Sequence, residues 1–121
     1  MENFWFYDKH GAPTMRLQES NRIVDHQGRN LGYVSENKIY NVHGKHRGWL
    51  ERGMIRDLNG LCVAFARGTS DSPRPLLPSP QANPVPTRTQ PPYPSSGPEI
   101  PKRKPTKGFN WSTLPPKSLF D

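Results

Sequence analysis

A chain of 121 residues with 15 prolines, one cysteine and a formal charge of +7 has the length of one domain and no means of forming a disulfide of its own. Its cations are spread: residues 1–68 have ten Lys/Arg against seven Asp/Glu and residues 69–121 have seven against three, so neither part is the dense basic surface of a dedicated nucleic-acid binder. The start, Met1 to Tyr7, holds no basic stretch followed by a long apolar run; neither a signal peptide nor a membrane span is expected, and the chain reads as cytoplasmic.

From Phe6 to Phe65 one pattern is written four times. Asp8-Lys-His-Gly11, Asp25-His-Gln-Gly28, Asn41-Val-His-Gly44 and Asp57-Leu-Asn-Gly60 place their glycines 17, 16 and 16 residues apart. Two residues before each Asx stand Phe6, Ile23, Ile39 and Ile55; five after each glycine stand Arg16, Tyr33, Trp49 and Phe65, preceded by Met15, Gly32, Gly48 and Ala64. Asx at the first position and Gly at the fourth is the preference of a type I turn, with the glycine at positive φ where the chain re-enters the ladder through a bulge. Each repeat therefore predicts a hairpin.

Alternation along these strands puts Ile23, Leu31 and Tyr33, Ile39, Arg47 and Trp49, Ile55, Val63 and Phe65, and Phe6, Thr14 and Arg16 on a core face. Tyr7, Val24, Tyr40 and Arg56, with Pro13, Asn30, His46 and Cys62, fall on an outer face. In that register Tyr40 faces His46, Ile39 faces Arg47 and Lys38 faces Gly48. Glu19-Ser-Asn21, Ser35-Glu-Asn37 and Glu51-Arg-Gly53 are short polar links, so eight short strands follow one another up and down. The expected architecture is all-β: four hairpins of about 16 residues around a pseudo-fourfold axis, closing the first on the fourth to hide both sheet edges, with a twisted open meander as the alternative.

The repeated Ile-x-Asx-x-x-Gly followed by Gly-aromatic, clearest in Ile23-Val-Asp25 to Leu31-Gly-Tyr33 and Ile39-Tyr-Asn41 to Arg47-Gly-Trp49, then a Pro-rich tail ending near Trp111-Ser112, resembles the four-fold β-flower proteins. These are a small bacterial family of hairpin petals around an axis. The first repeat departs from the pattern with Met15-Arg16. The resemblance implies the fold and no catalytic residue.

Only Pro13 precedes Gly68, and the other 14 prolines follow it among few regularly spaced apolar residues. Residues 1–68 are thus the expected four-hairpin domain, 69–107 a disordered, basic, Pro-rich linker, and 108–121 a hydrophobic short motif. A fold of that size holds roughly 3–5 kcal/mol of net stability, so self-closure, a partner subunit or docking of the tail is expected. Arg88-Thr-Gln-Pro91-Pro-Tyr-Pro94 and Pro98-Glu-Ile-Pro101-Lys-Arg103 carry the spacing of polyproline II ligands, a pattern that also arises in spacers. Pro101 to Lys107 holds four cations, read as solvation of the linker or weak phosphate contact. In the last stretch Trp111, Leu114, Leu119 and Phe120 return as large apolar residues, which marks a partner-binding motif, docked in cis or in trans.

The chemistry-bearing residues have plainer explanations. His10, His26, His43 and His46 occupy different turn positions, Asp8, Asp25, Asn41 and Asp57 cap their own turns, and Cys62 has no histidine at a useful local spacing. No metal, cofactor or catalytic residue is assigned. Function is expected to be that of a non-catalytic protein-interaction or structural module, with an unknown protein partner and homo-oligomerisation open. Weak nucleic-acid or acidic-polymer binding through the basic tail is the alternative, and an enzyme comes third. No membrane contact is expected.

Overall fold

The structure, a computed structural model, describes residues 4–84, 89, 91 and 97–121. Each repeat is a hairpin: β1 (Phe4–Tyr7) with β2 (Pro13–Leu17), β3 (Arg22–Asp25) with β4 (Asn30–Ser35), β5 (Lys38–Asn41) with β6 (His46–Glu51), and β7 (Met54–Asp57) with β8 (Cys62–Phe65). The eight antiparallel strands follow sequence order around a closed barrel, and β8 meets β1 with Phe65 opposite Tyr7. The ring is closed, and both sheet edges disappear into it.

The turns are built as their residue types require. The Oδ1 of Asp8 accepts from the amides of His10 and Ala12, and the side chains of Asp25, Asn41 and Asp57 accept from the corresponding two amides of their own turns. Gly11, Gly28, Gly44 and Gly60 have φ of 81°, 86°, 81° and 82°, the left-handed region that a side chain would strain. At the other end of the barrel the links Glu36-Asn37 and Arg52-Gly53 each hold two consecutive positive-φ residues, the geometry of two-residue hairpin turns that follow the strand twist.

Just after each turn the ladder takes one extra residue. Tyr40 faces His46 as expected, but Ile39 faces Gly48 and Lys38 faces Trp49, with Arg47 bulged between them; Thr14, Leu31 and Val63 are the corresponding extra residues. One inserted residue reverses every face beyond it. The expected core face is corrected accordingly: Arg16, Tyr33, Trp49 and Phe65 lie on the outer face, opposite Val24, Tyr40, Arg56 and Tyr7 of the neighbouring hairpins.

Inside the barrel the side chains form layers. Phe6 pairs with Met15, Ile23 with Gly32, Ile39 with Gly48 and Ile55 with Ala64, which puts the repeat's large and small columns opposite each other around the axis. All of the large members are buried. Gly32 and Gly48 are required by close approach, because a Cβ on either would strike the carbonyl oxygen of the adjacent hairpin, Tyr40 or Arg56. Toward the links the interior is lined by Leu17, Val34, Leu50 and Ala66. Toward the turns it is closed by a C-terminal 3-10 helix, Pro116–Phe120, which touches β2, β4, β6 and β8 and sinks Leu119 and Phe120 into the core. Arg47 Nε donates to Leu119 O at 2.7 Å, and Lys117 stands 3.6 Å from Asp25. Among the described residues no helix is long and apolar enough to cross a membrane.

Candidate functional site: the clasped arm and the open mouth

The composition of residues 69–107 predicts a disordered linker, yet the described ones lie along the outside of the barrel and pass each hairpin in turn. The amide of Gln81 donates to Gly11 O at 2.8 Å, Glu99 to Gly44 O at 2.8 Å and Gly108 to Gly60 O at 3.0 Å. At the second hairpin Asn30 Nδ2 donates to Pro91 O at 2.9 Å. An extended Pro-rich chain cannot satisfy its own amides, and the turn glycines offer outward carbonyls that no strand uses. The three donors stand 18 and 9 residues apart, a nine-residue step per hairpin. The sequence does carry this period, in Ser79-Pro-Gln81, Gly97-Pro-Glu99 and Thr106-Lys-Gly108, but the side chains differ enough that only the backbone contacts reveal it.

The arm meets itself at the fourth hairpin, and Arg56 is the buckle. Its Nε donates to Asp71 Oδ2 at 2.9 Å, its Nη1 to Gly60 O at 2.8 Å and Gly108 O at 3.0 Å, and its Nη2 to Pro73 O. One guanidinium thus joins the arm where it leaves the barrel and where it returns. Asp71, fully buried, also accepts from Lys107, whose Nζ lies 3.4 Å from Glu51. Burial works to raise the Asp71 carboxyl, but the hydrogen bonds from Lys107 and Arg56 outweigh it and leave the group below the ordinary carboxylate range. Glu51 is lowered as well, chiefly by the hydrogen bond from Lys104. Two of the four cations in Pro101 to Lys107 are therefore paired with carboxylates of this chain.

A second clasp lies at the third hairpin. His46 is buried between Tyr40 and the edge of Trp49, with its Nδ1 accepting from the Lys102 amide at 2.9 Å and its Nε2 2.9 Å from Gly48 O. That pairing requires the neutral ring with its proton on Nε2. Burial lowers the pKa of the imidazole, against smaller opposing effects from Gly48 O and Glu99. Glu99 in turn accepts from the backbone amide of His46 at 2.7 Å.

The terminal motif is docked on its own domain. Asn110 and Ser112 bracket Cys62 with two backbone hydrogen bonds, Trp111 packs on Phe65 with ring centroids 6.2 Å apart, and Ser112 Oγ donates to Asp57 Oδ2 at 2.6 Å. Leu119 and Phe120 are 1% and 7% exposed, so neither is open to another molecule in this state; Leu114 is 38% exposed. Cys62 is buried beneath this segment, which pushes its thiol upward and away from nucleophilic character. Among the described residues no group of three His, Cys, Asp or Glu could hold a metal ion. Of the two polyproline-type stretches, Pro98 to Arg103 lies on the third hairpin, while Arg88 to Pro94 lies outside the described residues except for Thr89 and Pro91.

Among the described residues none covers the apolar surface at the link end. At the link end, opposite the plug, a depression of about 390 Å³ is lined by Phe4, Phe6, Leu17, Leu50 and Ala66, with Arg52, Arg67, Thr69 and Ser70 around it. Phe4 is 55% exposed there. Neither Phe4 nor Leu50 stands out in the sequence as a site residue; the signal was the column Leu17, Val34, Leu50 and Ala66, one residue beyond the aromatic column.

The model of a family described as 4-fold beta flower protein matches residues 4–120, arm and plug included. No curated protein and no solved structure matches the chain.

Proposed function

Taking as premise that the chain belongs to the 4-fold beta flower protein family, a small structural module, we propose that it is a non-catalytic protein-interaction module whose contact surface is the link-end mouth of the barrel. The observation that carries this reading is the asymmetry of the two barrel ends. The turn end is filled by Leu119 and Phe120 from the same chain, while at the link end no described residue covers Phe4 and its apolar depression. A concave apolar patch with a polar rim is the usual anatomy of a contact site. The non-catalytic part is supported by the engagement of both His46 ring nitrogens and by the burial of Cys62. A buried free thiol also suits a reducing compartment such as the cytoplasm.

The test is capture from the native cell with the full chain and with Phe4→Asp. A partner held by the first and lost by the second, at unchanged urea midpoint, supports the mouth. A partner held equally by both places the contact elsewhere.

A further inference from the structure

We infer, resting on the interaction reading above, that the mouth selects an acidic, apolar protein segment: one large apolar side chain with carboxylates beside it. The described residues lining the depression include two cations, Arg52 and Arg67, and no carboxylate. Both are exposed, and both are held at the backbone or side chain before any partner arrives. The Arg52 carbonyl accepts from Ser70 N at 3.1 Å and from Thr69 Oγ1 at 2.7 Å, which ties the link to the root of the arm. The Arg67 guanidinium lies 5.2 Å over the Tyr7 ring, donates from Nε to Tyr7 Oη at 3.1 Å and from Nη2 to Gln81 O at 3.2 Å. Arg67, its guanidinium placed in this way, loses less freedom when it meets a carboxylate than a loose lysine would, whereas the bonds at Arg52 hold its backbone.

The depth of the site decides the size of its occupant. Behind the mouth the axis is filled by Phe6, Met15, Ile23, Ile39 and Ile55, and the far end by Leu119 and Phe120. A space of about 390 Å³ that ends on this floor takes one large side chain and its neighbours. It offers no channel for an acyl chain, which argues for a protein segment over a lipid. Two exposed ion pairs contribute little each, so the carboxylates are expected to add about three- to tenfold in affinity and to lose that advantage in salt.

The experiment titrates the isotope-labelled full chain by NMR with acetyl-Asp-Asp-Phe-Asp-amide and with its uncharged counterpart acetyl-Asn-Asn-Phe-Asn-amide, at low and high salt. The expected result is a shift of the amides of Leu17, Leu50, Gly53 and Ala66 by both peptides, with about three- to tenfold tighter binding of the acidic one at low salt. That preference should vanish at high salt and in Arg52→Gln, a variant whose urea midpoint is expected to match the parent. Equal binding of the two peptides overturns the inference and leaves the interaction reading intact. No shift at the mouth with either peptide removes both. Tighter binding of dodecanoate than of the acidic peptide overturns the choice of a protein segment. An equal rise in affinity for both peptides on removing residues 1–3 identifies the chain's own start as the occupant, and likewise overturns it.

Discussion

In the barrel each strand finds its hydrogen-bond partners in the strand before it and the strand after it, and only the β8–β1 seam spans the domain. In the arm, the amides of Gln81, Glu99, Gly108 and Ser112 donate to barrel carbonyls, and the Asn110 carbonyl accepts from Cys62 N; none of these bonds stays within the arm. The two regions are fourfold in different ways: one repeats every 16 or 17 residues and makes its own ladder, the other steps by nine and borrows carbonyls from the turns of the first. The difference teaches that an extended Pro-rich chain with no core of its own becomes a structural element when a rigid surface supplies acceptors at its repeat distance. Order in the arm is conditional on the barrel. The barrel, in return, has its outer aromatic face and its turn end covered.

That relation is broken most severely at the plug. Truncating a buried leucine costs about 2–5 kcal/mol and a buried phenylalanine about 3–5 kcal/mol, against roughly 3–5 kcal/mol of net stability for a barrel of this size. Leu119→Ala combined with Phe120→Ala is therefore expected to abolish cooperative unfolding in urea, followed by far-ultraviolet circular dichroism. A double variant within about 0.5 kcal/mol of the parent, the usual range for surface substitutions, would mean that the barrel stands without its arm.

At the buckle, Arg56→Met leaves Asp71 buried without its arginine and should cost about 3–5 kcal/mol. Replacing both, Arg56→Met with Asp71→Leu, should recover part of that loss, because much of the penalty belongs to a buried carboxylate left with Lys107 alone. Faster amide exchange in residues 70–74 and 107–109 of the single variant would place the damage at the two crossings of the arm.

A smaller effect separates backbone strain from arm contact. Gly60 and Gly68 both have positive φ, 82° and 73°, and alanine at either position should cost about 1–2 kcal/mol for that alone. A Cβ on Gly60 would also strike the Thr106 carbonyl, whereas nothing lies within 4 Å of one on Gly68. Gly60→Ala should accordingly cost about 1–3 kcal/mol more than Gly68→Ala. Equal losses would show the arm to be absent from the turn in solution.

The gentlest test is pH. His46 has its folded pKa lowered, first by burial, so the unfolded chain binds the proton more readily. Stability therefore rises with pH across the interval between the lowered folded value and the ordinary one of 6.5, and falls as pH drops through it. Protonated Nδ1 can no longer accept from Lys102, so amides around 99–102 should lose protection before those of the strands. His46→Asn keeps an acceptor near Nδ1 that does not titrate, and should flatten the urea midpoint against pH in this interval. Asp71 acts lower on the scale: its folded pKa is depressed, so its contribution is complete above the ordinary 3.8 and is lost on further acidification.

The sequence by itself determined the hairpins, their number and their turn chemistry. The hairpins follow from contacts within about twenty residues, Asx capping its turn and glycine entering positive φ, repeated four times, and the family resemblance rests on the same columns; the ring was the expected architecture beside an open meander, and the β8–β1 seam between Phe65 and Tyr7 decided for it. The sequence also marked Trp111, Leu114, Leu119 and Phe120 as a docking motif, in cis or in trans. Tertiary structure decided the rest. Alternation sends Trp49 inward and the bulged Arg47 sends it out, because a single unpaired residue shifts a two-residue period by half. The path of the arm rests on amides meeting carbonyls from Gly11 to Gly60, and a backbone group has no letter in the sequence. The open mouth was hidden for a related reason: Phe4, Leu17 and Leu50 look like any other strand residues until the barrel closes and its far end is plugged.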